Sequence, residues 1–89
     1  LTLKNLTPEL AERLKLDDAK GVLVTAVDPK GPAADGDIKK GDVIKEINRH
    51  EVGGIDDYLK VLKTLKKGDT MLLRIVRDGR PFYMAIDIP

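Results

Sequence analysis

Few residues in this chain are equipped for chemistry. It has one histidine, His50, and neither cysteine nor serine. Nucleophilic catalysis needs a nucleophile, a base and an orienting acid that converge beside backbone donors. Thr2, Thr7, Thr25, Thr64 and Thr70 have no motif around them, so His50 reads as a solvent-facing residue at a strand end. A metal site would require further imidazole or thiolate ligands, and none exist. Asp17-Asp18, Asp35 with Asp37, and Asp56-Asp57 could suggest acid pairs, but adjacent carboxylates do not converge on one substrate atom. Caps and turns account for all three. The glycines match neither a P-loop nor a dinucleotide fingerprint, and their role is to supply turns. The residues thus predict no catalysis, no cofactor and no metal.

Binding is easier to support. Leu1-Thr2-Leu3-Lys4-Asn5 alternates apolar and polar, as a half-buried strand does. At the start of a sheet, such a strand can lie at an edge with unpaired N–H and C=O groups. An extended peptide can complete that edge while alternate side chains enter pockets. The facing wall would be a helix from about Asp56 to Lys66, bearing Ile55, Tyr58, Leu59, Val61, Leu62 and Leu65. Tyr58, Leu62 and Leu65 form one row, and Leu59 with Leu62 a neighbouring one. That is more apolar surface than one core-facing stripe needs. For Val61 and Leu62 a purely core role is equally compatible with the pattern.

The remaining elements must hold strand and helix in place. Thr7 caps a first helix, with Pro8 at its first position, Glu9 at its positive end, and Leu6, Leu10 and Leu14 as its apolar stripe. Val22 to Val27 is apolar at nearly every position and predicts a central strand covered on both faces. Asp28-Pro29-Lys30-Gly31 breaks it, and Pro32-Ala33-Ala34 suits one helical turn. Val43 to Asn48 is a strand, Asn48-Arg49 a turn, and His50-Glu51-Val52 a short further pairing. Gly68-Asp69 ends the second helix. Thr70–Arg77 and Arg80–Ile88 around Asp78-Gly79 predict a hairpin, with Phe82, Met84, Ile86 and Ile88 on the core face and Tyr83 and Asp87 opposite. The order β-α-β-β-α-β-β predicts a small α+β sandwich or partly open barrel.

Composition narrows the function classes. The 89 residues suffice for one domain, taken as residues 1–89. They are 42% hydrophobic and 35% charged, which suits a globular chain. Sixteen basic residues nearly balance fifteen acidic ones, and only Tyr58, Phe82 and Tyr83 are aromatic. This argues against nucleic acid as a partner. No apolar run approaches the ~20 residues that span a bilayer, so membrane insertion is not expected. The chain starts at Leu1 directly in a strand, which reads as a piece excised from a longer protein.

The block Pro32-Ala33-Ala34…Gly41-Asp42-Val43-Ile44…Ile47-Asn48 resembles the signature of bacterial PDZ domains. With Leu6-Thr7-Pro8-Glu9-Leu10-Ala11, Gly21-Val22-Leu23-Val24 and Lys67-Gly68-Asp69-Thr70 leading to Arg77-Asp78-Gly79, nearly the whole chain resembles the PDZ domains of bacterial HtrA/Do (Deg) serine proteases. The Ile47-Asn48-Arg49 and Phe82-to-Ile88 segments look more like the second, C-terminal PDZ domain. A PDZ from an intramembrane or tail-specific protease shares the central block, but the Leu-Thr-Pro-Glu-Leu start argues against it. The resemblance implies a permuted PDZ fold, a partly open barrel of five to six strands with two helices. It would bind polypeptide C-termini or unfolded, exposed apolar segments, with Leu1, Thr2 and Leu3 on the strand and Tyr58, Leu59, Leu62 and Leu65 on the helix. It further implies a parent serine protease with its triad in another domain, contacts to the protease domain and other subunits, and a periplasmic or envelope location. Its function would be substrate recruitment or regulation of quality-control proteolysis. An alternative of another class is an assembly module whose groove holds neighbouring domains or subunits. The resemblance also places a carboxylate-binding loop just ahead of the first strand, with Leu1 its last apolar residue and its glycine outside the sequence. Asp37 stands where the family has glycine, at about 1 kcal/mol if the left-handed corner is kept.

Overall fold

A computed structural model describes residues 2–27 and 38–87. Six antiparallel strands form one open sheet: β1 (Thr2–Asn5), β2 (Val22–Ala26), β3 (Val43–Ile47), β4 (His50–Glu51), β5 (Thr70–Arg77) and β6 (Arg80–Asp87). Their order is β1-β2-β3-β5-β6, with β4 paired to β3. Among the described residues two helices accompany them, α1 (Pro8–Arg13) and α2 (Ile55–Lys63). The element order matches the sequence expectation, and the sheet is open rather than closed into a barrel.

Local chemistry explains most element ends. Thr7 Oγ1 accepts from the Leu10 N–H at 3.2 Å, and Pro8 opens α1. The helix stops at Lys15, whose φ is +59°. There the Leu16 N–H reaches the Ala11 carbonyl and the Lys15 N–H the Glu12 carbonyl, the two bonds of a Schellman motif. Asp78-Gly79 turns β5 into β6 with both φ values positive, as does Asn48-Arg49 between β3 and β4, which suits two-residue hairpins. Asn48 also ties its turn to β5. Its N–H donates to Leu72 O at 2.7 Å, and its Oδ1 accepts from the Leu72 N–H at 2.8 Å.

The main core collects Val22, Val24, Ile44, Ile47, Met71, Leu73, Ile75 and Ile86 from the sheet, Tyr58 from α2, and Ile38 and Val52 from the loops before β3 and after β4. The β2 expectation needs correction. Val22 and Val24 are buried, but Leu23 and Thr25 are only half-buried and Ala26 is exposed, so the strand is sealed on one face. Antiparallel pairing through a meander does not require the double cover of a parallel sheet. On β6, Ile86 is buried and Phe82 and Met84 are half-buried, while Tyr83 and Asp87 face outward. The expected helical turn at Pro32-Ala33-Ala34, the Asp37 corner and Ile88 lie outside the described residues.

The Gly41-Asp42 step carries a buried ion pair. Asp42 is 1% exposed. Its Oδ1 and Oδ2 accept from Arg77 Nε and Nη2, each at 2.7 Å, and Oδ2 also accepts from the Lys39 N–H at 2.9 Å. Arg77 lies 4.9 Å from the Phe82 ring centroid. This bidentate geometry is the strong form of the pairing. It ties the turn before β3 to the end of β5.

Candidate peptide-binding slot

β1 pairs with β2 on one side, and among the described residues no strand lies on its other side. Its first residue is irregularly paired: a register shift falls between Thr2 and Leu3, and the Thr25 hydroxyl donates to the Thr2 carbonyl at 3.2 Å. With Thr2 turned towards β2, alternation along the strand turns the N–H and C=O of Leu3 towards the open margin. The Leu3 side chain is half-buried against the core.

α2 is the helix that packs next to β1. Its N-terminal end is pinned to the far end of the strand, where Asn5 Oδ1 accepts from the Ile55 N–H at 2.7 Å. Four strand residues and nine helical residues each span about 13 Å, so the two walls match in length. At 100° per residue, one flank of α2 carries Asp57 and Val61 and the other Ile55, Leu59 and Leu62. The first flank lines a cleft of about 270 Å³ with His50 and Glu51 of β4. The second flank therefore faces β1.

The structure sorts the residues expected in the site. Leu1 lies outside the described residues. Thr2 is exposed on the edge strand and Leu3 half-buried beneath it. Leu59 is 47% exposed on the flank towards β1, and Leu62 is half-buried beside it. Tyr58 does not line the slot, because it is 7% exposed and belongs to the core. Burial pushes its phenol above the ordinary value. Leu65 lies beyond the helix, which ends at Lys63 rather than Lys66. Thr64 directs its hydroxyl to the Val61 carbonyl at 2.7 Å and its N–H to the same oxygen at 3.0 Å, tightening the last turn. Leu65 still packs against the core. The flank of α2 towards β1 thus carries Ile55, Leu59 and Leu62, while Tyr58 lies in the core.

Sequence reasoning placed Ile55 on the helix but in neither apolar row, and missed Asn5 as the anchor of the helix. The available signal was slight. Gly53-Gly54 offers a helix no capping side chain, so the cap had to come from elsewhere.

One further cleft contains internally matched charge. Asp18, Lys20, Lys45, Glu46, Arg49, Glu51 and Arg74 line its volume of about 310 Å³. Within it Lys45 bonds Asp18 at 2.6 Å, Lys20 meets Glu51 at 3.4 Å and Arg74 meets Glu46 at 3.7 Å. The Lys45 hydrogen bond holds the Asp18 carboxyl below its usual range. Lys45 is the extra residue of a β3 bulge, which aims its side chain there. Among the described residues no cluster of His, Asp or Glu is placed to hold a metal ion. His50 is exposed on β4, as expected.

An open strand margin beside an apolar helix is the geometry of this face of the domain. The PDZ domain family matches residues 2–88, and the chain belongs to that family. It is 35% identical over 79 residues to a probable periplasmic serine endoprotease DegP-like from Bartonella henselae, and 34% identical over 88 residues to one from Pseudomonas putida. The alignments cover 88% and 99% of the chain, but only 15% and 18% of those relatives. A solved structure of the HtrA-type protease AlgW with decapeptide superposes at TM-score 0.84 with 31% identity, over 98% of this chain and 27% of that one. The HtrA3 PDZ domain bound to a phage-derived ligand shares the fold at TM-score 0.81, with 22% identity over 98% of this chain and 79% of that one.

Proposed function

We propose that this chain is the peptide-docking module of a periplasmic HtrA-like serine protease. It takes the C-terminal or exposed apolar end of an extended polypeptide as an added strand against β1. The observation that carries this reading is the open β1 margin lying beside the Ile55–Leu59–Leu62 flank of α2. A guest strand would bond Leu3 and set alternate side chains against that flank. The other sheet edge suits a guest less well: Pro81 on β6 cannot donate to a further strand. The decapeptide in the AlgW structure and the periplasmic names of the relatives support the same reading. In the parent protein the module recruits substrate or regulates proteolysis carried out by another domain. Affinity is expected in the micromolar range, about −8 kcal/mol, with further gain from several copies in an oligomer.

The test is chemical-shift mapping with decapeptides bearing a free carboxylate and ending in Val, Leu, Ile or Phe, added to the chain. Shifts should concentrate at Leu3, Leu59 and Leu62. Replacing Leu62 by lysine removes roughly 1.5–3 kcal/mol of apolar contact and should weaken binding more than tenfold. Circular dichroism should show that variant folded. Absence of any response to all four peptides would overturn the docking role and leave contact with neighbouring domains or subunits as the groove's use.

A further inference from the structure

The cap of α2 comes from the wrong place for an ordinary helix. Its N-cap residue is Gly54, which has no side chain to offer. The oxygen that receives the Ile55 N–H belongs to Asn5, fifty residues earlier, at the end of β1. Gly54 is suited to this arrangement, since a Cβ there would stand 3.0 Å from Asn5 Oδ1. Asp57 completes the end by accepting from the Gly53 N–H at 2.9 Å. A local Ser, Thr, Asp or Asn at the cap position would accept from the N–H of Asp56 or Asp57 instead, and so cap the helix without involving the strand.

Asn5 shares a strand face with Leu3. Two side chains on one face therefore hold the strand, Leu3 by packing against the core and Asn5 by its hydrogen bond to the start of α2. We infer that Asn5 is a positioning residue of the docking slot, fixing the separation and register of β1 against α2 before a guest arrives. This rests on the strand-addition reading above. Its physical content is preorganisation: a slot already held at working width loses less conformational freedom when a peptide enters.

Three variants separate positioning from capping. Asn5→Ala removes both. Asn5→Ala with Gly54→Ser returns a capping oxygen from the helix's own chain, and the truncated Asn5 leaves room for it. Asn5→Asp keeps an acceptor at the original place. Binding is measured by fluorescence anisotropy with the tightest of the four decapeptides, stability by thermal unfolding, and strand mobility by amide exchange without peptide. The double variant should recover the thermal midpoint lost in Asn5→Ala yet bind roughly tenfold more weakly than the wild type. Exchange of β1 amides should quicken about tenfold while Val24 is unchanged. Asn5→Asp should retain binding and slow exchange. A double variant with wild-type affinity and wild-type β1 exchange would reduce Asn5 to a cap and overturn the inference. If the wild type binds none of the peptides, the docking reading fails, and the exchange comparison still decides whether Asn5 holds the strand.

Discussion

Gly21, one residue ahead of β2, gives the sharpest test of how the slot's supporting strand is placed. Its φ is +122°, a region closed to side chains without strain. A Cβ built there would lie 2.8 Å from the Ile44 carbonyl oxygen, 3.1 Å from Lys45 Cδ and 3.2 Å from Val43 Cγ1. The oxygen belongs to the β3 backbone and cannot rotate away. Gly41 isolates the two effects: its φ is +95°, yet nothing lies within 4 Å of a Cβ there. Gly41→Ala should therefore show backbone strain alone, about 1–2 kcal/mol. Gly21→Ala should add an overpacking cost of about 1–3 kcal/mol, for a total of about 2–5 kcal/mol. At roughly 4–8 °C per kcal/mol for a domain of this size, the gap between the variants should be about 4–24 °C in Tm. Urea unfolding followed by circular dichroism should give the same ranking with an unchanged m-value. Equal stability of the two variants would refute the collision argument, and with it the claim that Gly21 lets β2 pack tightly on β3.

Other perturbations address single interactions. Lys15→Gly should stabilise the chain by about 0.5–1 kcal/mol, because glycine takes the φ of +59° without strain; chemical denaturation checks it. Asp42→Ala should cost about 2–4 kcal/mol, since it strips Arg77 of a bidentate partner and leaves the Lys39 N–H without its acceptor. A loss below 1 kcal/mol in urea unfolding would contradict that. Tyr58 titrates above the usual phenol value because it is buried. Above about pH 10 the unfolded chain ionises first, so stability should fall as pH rises, and Tyr58→Phe should remove that part of the slope.

Much of the fold is legible in neighbouring residues. The cap and first turn of α1, the Asp78-Gly79 and Asn48-Arg49 turns, and the alternation of β1 and β6 rest on contacts within a few positions. The chain's own order encodes these directly. The Gly41-Asp42…Ile47-Asn48 block was readable as a signature, but its physics was not: Asp42 answers Arg77 and Asn48 answers Leu72, each across the sheet. The site was only half legible. Periodicity showed that the second helix was apolar on two flanks, without saying which flank met the core. Packing placed Tyr58 inside, ended the helix at Lys63, and left Ile55, Leu59 and Leu62 facing β1. Which side chain caps α2 depends on a partner fifty residues away. By itself the sequence determined the elements, their turns and the family's signature. The tertiary structure alone decided that Tyr58 goes inside and that Asn5 caps α2, because packing and long-range capping leave no periodic trace in the residues that make them.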